Sequence, residues 1–200
     1  MTIQKLILTS ALLVLIPSNA ESQLPFEYLR VGEHRIEFNL QMTFNDAATL
    51  LGNSEIHRRG DAGGSLGWTC YRVGTDGGAA VLILESSEMG GRTQLTGFQL
   101  AASGTLPDLE VKCTPVEIPP TEIKTDRGIC LGMRRAEVEL ILGQPTESTT
   151  DSITFNVFET RHDLLGNPPH DVTYDACSYL RLWFVDDRVI RMEGNRIDVI

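Results

Sequence analysis

Two kinds of hydrophobic periodicity run along this chain, and each occurs twice. In residues 40–53 and again in 131–144 apolar side chains recur at i, i+3 and i+4: Ala47, Leu50 and Leu51, then Val138, Ile141 and Leu142. That spacing puts them on one face of a short helix. Thr43 can cap the first helix, with Asp46 three residues on completing a T-x-x-D box. Gly52 and Gly143 supply the left-handed residue that ends each helix, and Pro145 stops the second from continuing. After each window come short β-branched and aromatic runs: Trp68 to Val73, Ala80 to Glu85 and Leu95 to Leu100, then Ile153 to Thr160, Cys177 to Val185 and Val189 to Glu193. Glycine-, proline- and aspartate-containing breaks at 74–78, 89–91, 166–169 and 186–187 separate them, which predicts antiparallel meanders.

The two windows are related by a constant offset. Leu40, Met42, Leu51 and Gly52 meet identical residues 91 positions later at Leu131, Met133, Leu142 and Gly143. The expected fold is therefore α+β: two tandem repeats, each a short helical element followed by a three-stranded antiparallel meander, with the helices on one sheet face. Residues 21–105 form the first repeat, 106–128 a proline-containing connection and 129–200 the second repeat.

Within the strand from Cys177 to Val185, alternation sends Leu180, Leu182 and Phe184 to one face and Tyr179, Arg181 and Trp183 to the other. On the preceding strand Ile153, Phe155 and Val157 point inward, and Thr154, Asn156 and Phe158 outward. Tyr, Trp and Arg are the residue types that carry binding energy at protein interfaces. With Trp68 from the first repeat, the set Tyr179, Arg181, Trp183, Asn156 and Phe158 is the candidate partner-binding surface. The alternative, that these aromatics fill a second core where the repeats meet, is left open by the pattern.

Export changes how the rest is read. Lys5, the apolar run Leu6 to Ile16 and the small residues Ser18 and Ala20 have the form of a secretory signal peptide, cleaved after Ala20. The run is eleven residues, too short to cross roughly 30 Å of hydrocarbon. The first cysteine is Cys70, so no lipid-anchor cysteine follows the run. A soluble periplasmic protein is expected, with no stable membrane insertion. The chain carries 17 basic and 27 acidic residues, a net charge of −10 that becomes −11 once Lys5 is removed. Nucleic acid and anionic lipid are excluded as partners, since both bind through Lys and Arg. A basic protein would be steered toward such a surface.

Four cysteines in an exported chain suggest two disulfides. The favoured pairing joins Cys70 to Cys113 and Cys130 to Cys177, which keeps each bridge within one half. The loops span 43 and 47 positions, and each bridge stabilises by about 4 kcal/mol in the chain-entropy model. No C-x-x-C spacing points to zinc.

Catalytic chemistry finds little support. Gly63-Gly64-Ser65-Leu66-Gly67 matches G-x-S-x-G, yet it lacks the buried strand before and the helix after that a nucleophile elbow needs. His162-Asp163, His170-Asp171 and Asp175 are the densest set of ligand types, in a loop where solvated polar residues are ordinary. No catalytic residue, metal site or cofactor is expected.

The segment from Gly132 to Val138, then Leu142-Gly143-Gln144-Pro145-Thr146 and a three-stranded meander, resembles the repeat shared by β-lactamase-inhibitor proteins and the small lipoprotein of the outer-membrane β-barrel assembly machine. Tandem copies match the inhibitor side, since the lipoprotein has one copy. The threonine often found after the methionine is Arg134 in the second copy and Thr43 in the first. The W-x-Y of the first strand is blurred to Trp68 and Tyr71, and to Phe155 and Phe158. The resemblance implies that one sheet face, extended over both repeats, grips a protein partner. The expected function is that of an inhibitor or immunity protein blocking a secreted enzyme or toxin, with a structural adaptor for envelope assembly as the alternative.

Overall fold

The computed structural model describes residues 24–38, 42–60, 66–74, 79–87, 91, 93–106, 112–165 and 170–199. The signal segment, Gly63 to Ser65 of the G-x-S-x-G match and residues 166–169 lie outside them. The chain opens with a hairpin of β1 (Tyr28–Val31) and β2 (His34–Glu37), turned at Gly32, whose φ of 59° suits glycine. Helix α1 (Phe44–Leu51) follows, then β3 (His57–Arg59), β4 (Leu66–Val73), β5 (Ala80–Ser86) and β6 (Gly97–Ala102). The segment read as a connection carries β7 (Thr114–Val116), a 3-10 turn at Pro120–Glu122 and β8 (Ile123–Thr125). Helix α2 (Arg135–Leu142) precedes β9 (Glu147–Ser148), β10 (Ser152–Leu165), β11 (His170–Val185) and β12 (Arg188–Val199).

These strands make two sheets. One has three strands in the order β2-β1-β8; the other has nine, in the order β3-β4-β5-β6-β12-β11-β10-β9, with β7 paired parallel to β4. The large sheet is continuous because β6 pairs with β12, from Ala101 opposite Arg191 to Gly97 opposite Asn195. Two aspartates, Asp186 and Asp187, join β11 to β12 with φ of 49° and 63°, the left-handed pair that suits the twist of a two-residue hairpin.

The expected fold class is overturned. Among the described residues the protein is mostly β, with 55% in strands and 13% helical, the latter in two α-helices and one 3-10 turn. The physical reason lies in what covers the large sheet. Each helix has eight residues, and while α1 buries Phe44, Ala47 and Leu51, α2 buries Val138. Much of the cover comes instead from Phe26, Leu29, Val31, Ile36, Phe38 and Ile123 of the small sheet and its flanks, all fully buried. They join Leu82, Leu84, Leu100, Leu180, Leu182 and Met192 of the large sheet in one hydrophobic core. Phe26 meets Phe38 and Phe98 edge to face at 5.6 and 5.3 Å.

Local signals at the helix ends differ between the copies. The Asp46 amide donates to Thr43 Oγ1 at 3.3 Å and the Thr43 amide to Asp46 Oδ2 at 2.7 Å, a complete capping box. Arg134 has no acceptor to offer, so α2 keeps the returning half, from the Arg134 amide to Glu137 Oε2 at 2.7 Å.

Of the two expected disulfides, Cys70–Cys113 is formed, with Cα atoms 4.6 Å apart. Cys130 and Cys177 are not bridged, which corrects the second pairing. Cys130 sits beside the small sheet, bridged to Lys124 and next to Met133, where burial pushes its thiol pKa up. Cys177 is exposed on the far side of β11, opposite Phe158. The large sheet stands between them.

Candidate protein-binding face

Strand alternation divides the large sheet cleanly. Leu180, Leu182 and Phe184 are buried in the core, so Tyr179, Arg181 and Trp183 lie on the opposite, outer face, half-buried by one another and their neighbours. Asn156 lies directly opposite Tyr179, and Phe158, 68% exposed, opposite Cys177. Trp68 lies on the same face four strands away, paired with Glu85 and His57. All six predicted residues thus share one face, with Trp68 far from the other five.

What joins them is a polar network that the sequence reading missed. The Tyr179 hydroxyl donates to the Glu193 carboxylate. Arg191 Nη2 donates to Glu193 Oε2 at 3.1 Å and to Gln99 Oε1 at 2.9 Å. Gln99 Nε2 donates to Glu85 Oε1 at 2.7 Å, and Glu85 stands beside Trp68 across the β4–β5 pair. The relay crosses β11, β12, β6 and β5, so it bridges the seam where the two halves meet. A usable signal existed: Glu85, Gln99, Arg191 and Glu193 each neighbour a core residue in sequence, namely Leu84, Leu100 and Met192, and so must face away from it.

The arginines are braced rather than loose. Arg191 lies over the Trp183 ring at 4.3 Å. Arg181 sits 5.9 Å from that ring, donates through Nε to Thr154 Oγ1 at 3.0 Å and pairs with Glu147 at 3.6 Å. Burial, then the hydrogen bond and charge of Glu193, hold the Tyr179 hydroxyl above the ordinary phenol range, so it stays a donor. Burial also pushes the Glu85 carboxyl up, against the hydrogen bond from Gln99.

Charge on this face departs from expectation. Arg59, Arg72, Arg181 and Arg191 share it with Glu85, Glu147, Asp171, Asp175 and Glu193, so the two signs nearly balance and the acidity of the whole chain is not concentrated here. Steering of a basic partner toward the face has no support in this distribution.

In the His162 to Asp175 region the described side chains form cross-strand pairs. The expected loop is largely strand, β10 running to Leu165 and β11 starting at His170. His162 Nδ1 pairs with Thr173 Oγ1 at 2.8 Å, and Thr160 Oγ1 donates to Asp175 at 2.9 Å, both ordinary cross-strand pairs. Among the described residues no three His, Cys, Asp or Glu side chains stand together as metal ligands, and no helix is long and apolar enough to cross a membrane. Comparison with family models, curated proteins and solved structures finds no match.

Proposed function

We propose that this chain is an exported protein-binding module, an inhibitor or immunity protein that blocks a secreted enzyme or toxin with the outer face of its large sheet. The observation that carries this reading is the relay from Tyr179 through Glu193, Arg191 and Gln99 to Glu85. It holds long side chains in fixed positions before any partner arrives, and so lowers the ordering cost of association. The aromatic and arginine content is that of interface hot spots. The Cys70–Cys113 bridge is compatible with an oxidising compartment, and the likeness to the inhibitor repeat names the kind of partner.

The test is to identify a secreted enzyme or toxin that the wild-type chain captures and to measure its binding by calorimetry with wild type, Tyr179→Ala and Trp183→Ala. Each truncation should weaken binding by about 2 kcal/mol or more, while Glu122→Ala, on the exposed 3-10 turn, should change nothing. Unchanged affinity in both face variants would sink the reading.

A further inference from the structure

The outer face carries a cavity of about 290 Å³, near the lower end of the range for small-ligand sites. Its walls are apolar: Leu66 and Trp68 from β4, Ile83 from β5, and Leu106 beyond β6. Two arginines, Arg59 and Arg191, line it, together with Glu85 and Gln99.

These groups are not equally satisfied. Gln99 and Glu85 are bonded to each other. Arg191 is half-engaged: its Nη2 serves Gln99 and Glu193, while its Nε has no hydrogen-bond partner among the described residues. The buried Trp68 Nε1 likewise has none. The Arg59 side chain, exposed on the edge strand β3, makes no hydrogen bond or ion pair with any described residue. The surroundings of the cavity are therefore rich in donors and short of acceptors, and a buried donor without an acceptor costs about 1–3 kcal/mol.

We propose that this cavity is a binding site for a small apolar carboxylate, its hydrocarbon body against Leu66, Trp68, Ile83 and Leu106 and its carboxylate held by Arg59 and Arg191. Guanidinium groups match a carboxylate in shape as well as charge. A cationic ligand would have Glu85 as its counter-ion, but one oxygen of that carboxyl already accepts from Gln99, and Arg59 and Arg191 would repel the ligand. The site does not depend on a protein partner, so the tests with Tyr179→Ala and Trp183→Ala stand or fall separately.

The experiment titrates the full chain with phenylacetate, phenethylamine and phenylethanol, following the Trp68 indole N–H resonance. Phenylacetate should saturate with a Kd in about the millimolar range, as suits a ligand of its size. The alcohol should bind more weakly and the amine not at all. Arg59→Gln, which removes a side chain without described contacts and so leaves the fold intact, should weaken phenylacetate about tenfold. Arg191→Gln should do the same. The proposal is overturned if the amine binds as tightly as the acid, if Arg59→Gln binds phenylacetate unchanged, or if no probe shifts the resonance saturably.

Discussion

The two faces of the large sheet are built from the same strands and obey different rules. On the core face, Phe98, Leu182 and Met192 lock into aromatic and aliphatic neighbours and are almost entirely withdrawn from water. On the outer face, one residue away along the same backbones, Tyr179, Arg191 and Glu193 are half-buried and held by hydrogen bonds and stacking. The first face is tied down by volume, which tolerates little change. The second depends on direction and partnership, and its buried polar groups are stabilising only while each keeps its partner.

The largest expected effect tests whether the two faces differ at all. Phe98→Ala removes a ring from the core-face cluster with Phe26 and Phe38 and should lower unfolding free energy by about 3–5 kcal/mol, read from urea midpoints. Trp183→Ala, on the outer face, should cost about 1–2 kcal/mol, mostly lost stacking with Arg191. Equal costs would mean that the outer aromatics form a second core, the alternative that sequence alone left open.

Next in size is the disulfide. Cys70 and Cys113 pack with Ile83 on the outer side of β4 and β5, away from the main core, so a covalent link does there what bulk apolar packing does on the opposite side. Replacing both with serine should cost about 2–4 kcal/mol. Cys177→Ser, at an exposed unbridged position, should stay within about 0.5 kcal/mol. A costly Cys177→Ser would mean that this thiol supports the outer face by packing rather than standing free.

The helix ends and most strands of this architecture were legible in the sequence because they depend on neighbours within a few residues. Thr43 and Asp46 could be paired on paper, and the alternation in β11 sorted Leu180 from Tyr179 correctly. The class was not, because it depends on what covers the sheet. The short β1, β2 and β8, with three or four residues each, have too little period to register, yet with their flanks they supply Phe26, Phe38 and Ile123 to the core. The length of β10 and β11 was hidden by polar residues that read as loop, although Asp171, Thr173 and Asp175 alternate with Val172, Tyr174 and Ala176. Of the face itself, sequence identified the aromatic members but not the relay, since Glu85 and Glu193 are brought together only by the pairing of β6 with β12.

Gly194 is where the two faces constrain one backbone, and it ranks third. A Cβ there would lie 2.6 Å from the Phe98 ring and 2.7 Å from that of Phe26, inside contact distance of rings the core cannot shift. Gly194→Ala should therefore cost about 1–3 kcal/mol by overpacking. Its neighbour Glu193 should feel it too: a displaced β12 would loosen the Tyr179 hydrogen bond. Thermal melts and the tyrosine absorbance titration should move together in this variant. A destabilised protein with an unaltered tyrosine titration would show that the faces are mechanically independent.

The smallest effect concerns the charge buried on the outer face. The folded-state pKa of Glu85 lies above its ordinary value because burial disfavours the carboxylate, with Glu193 adding repulsion and Gln99 and Arg191 opposing. The folded state thus binds the proton more tightly than the unfolded chain does. Stability from this group is full below the unfolded carboxylate pKa, about 4.3, and is lost as pH rises through the folded value. Glu85→Gln keeps an oxygen for Gln99 to donate to and removes the charge. The variant should match wild type near pH 4 and gain on it toward pH 7, by no more than about 1 kcal/mol, in urea midpoints measured at each pH. Parallel profiles would mean that Arg191 fully offsets the buried charge, and that the relay is a balanced ion network rather than a face held slightly short of its optimum.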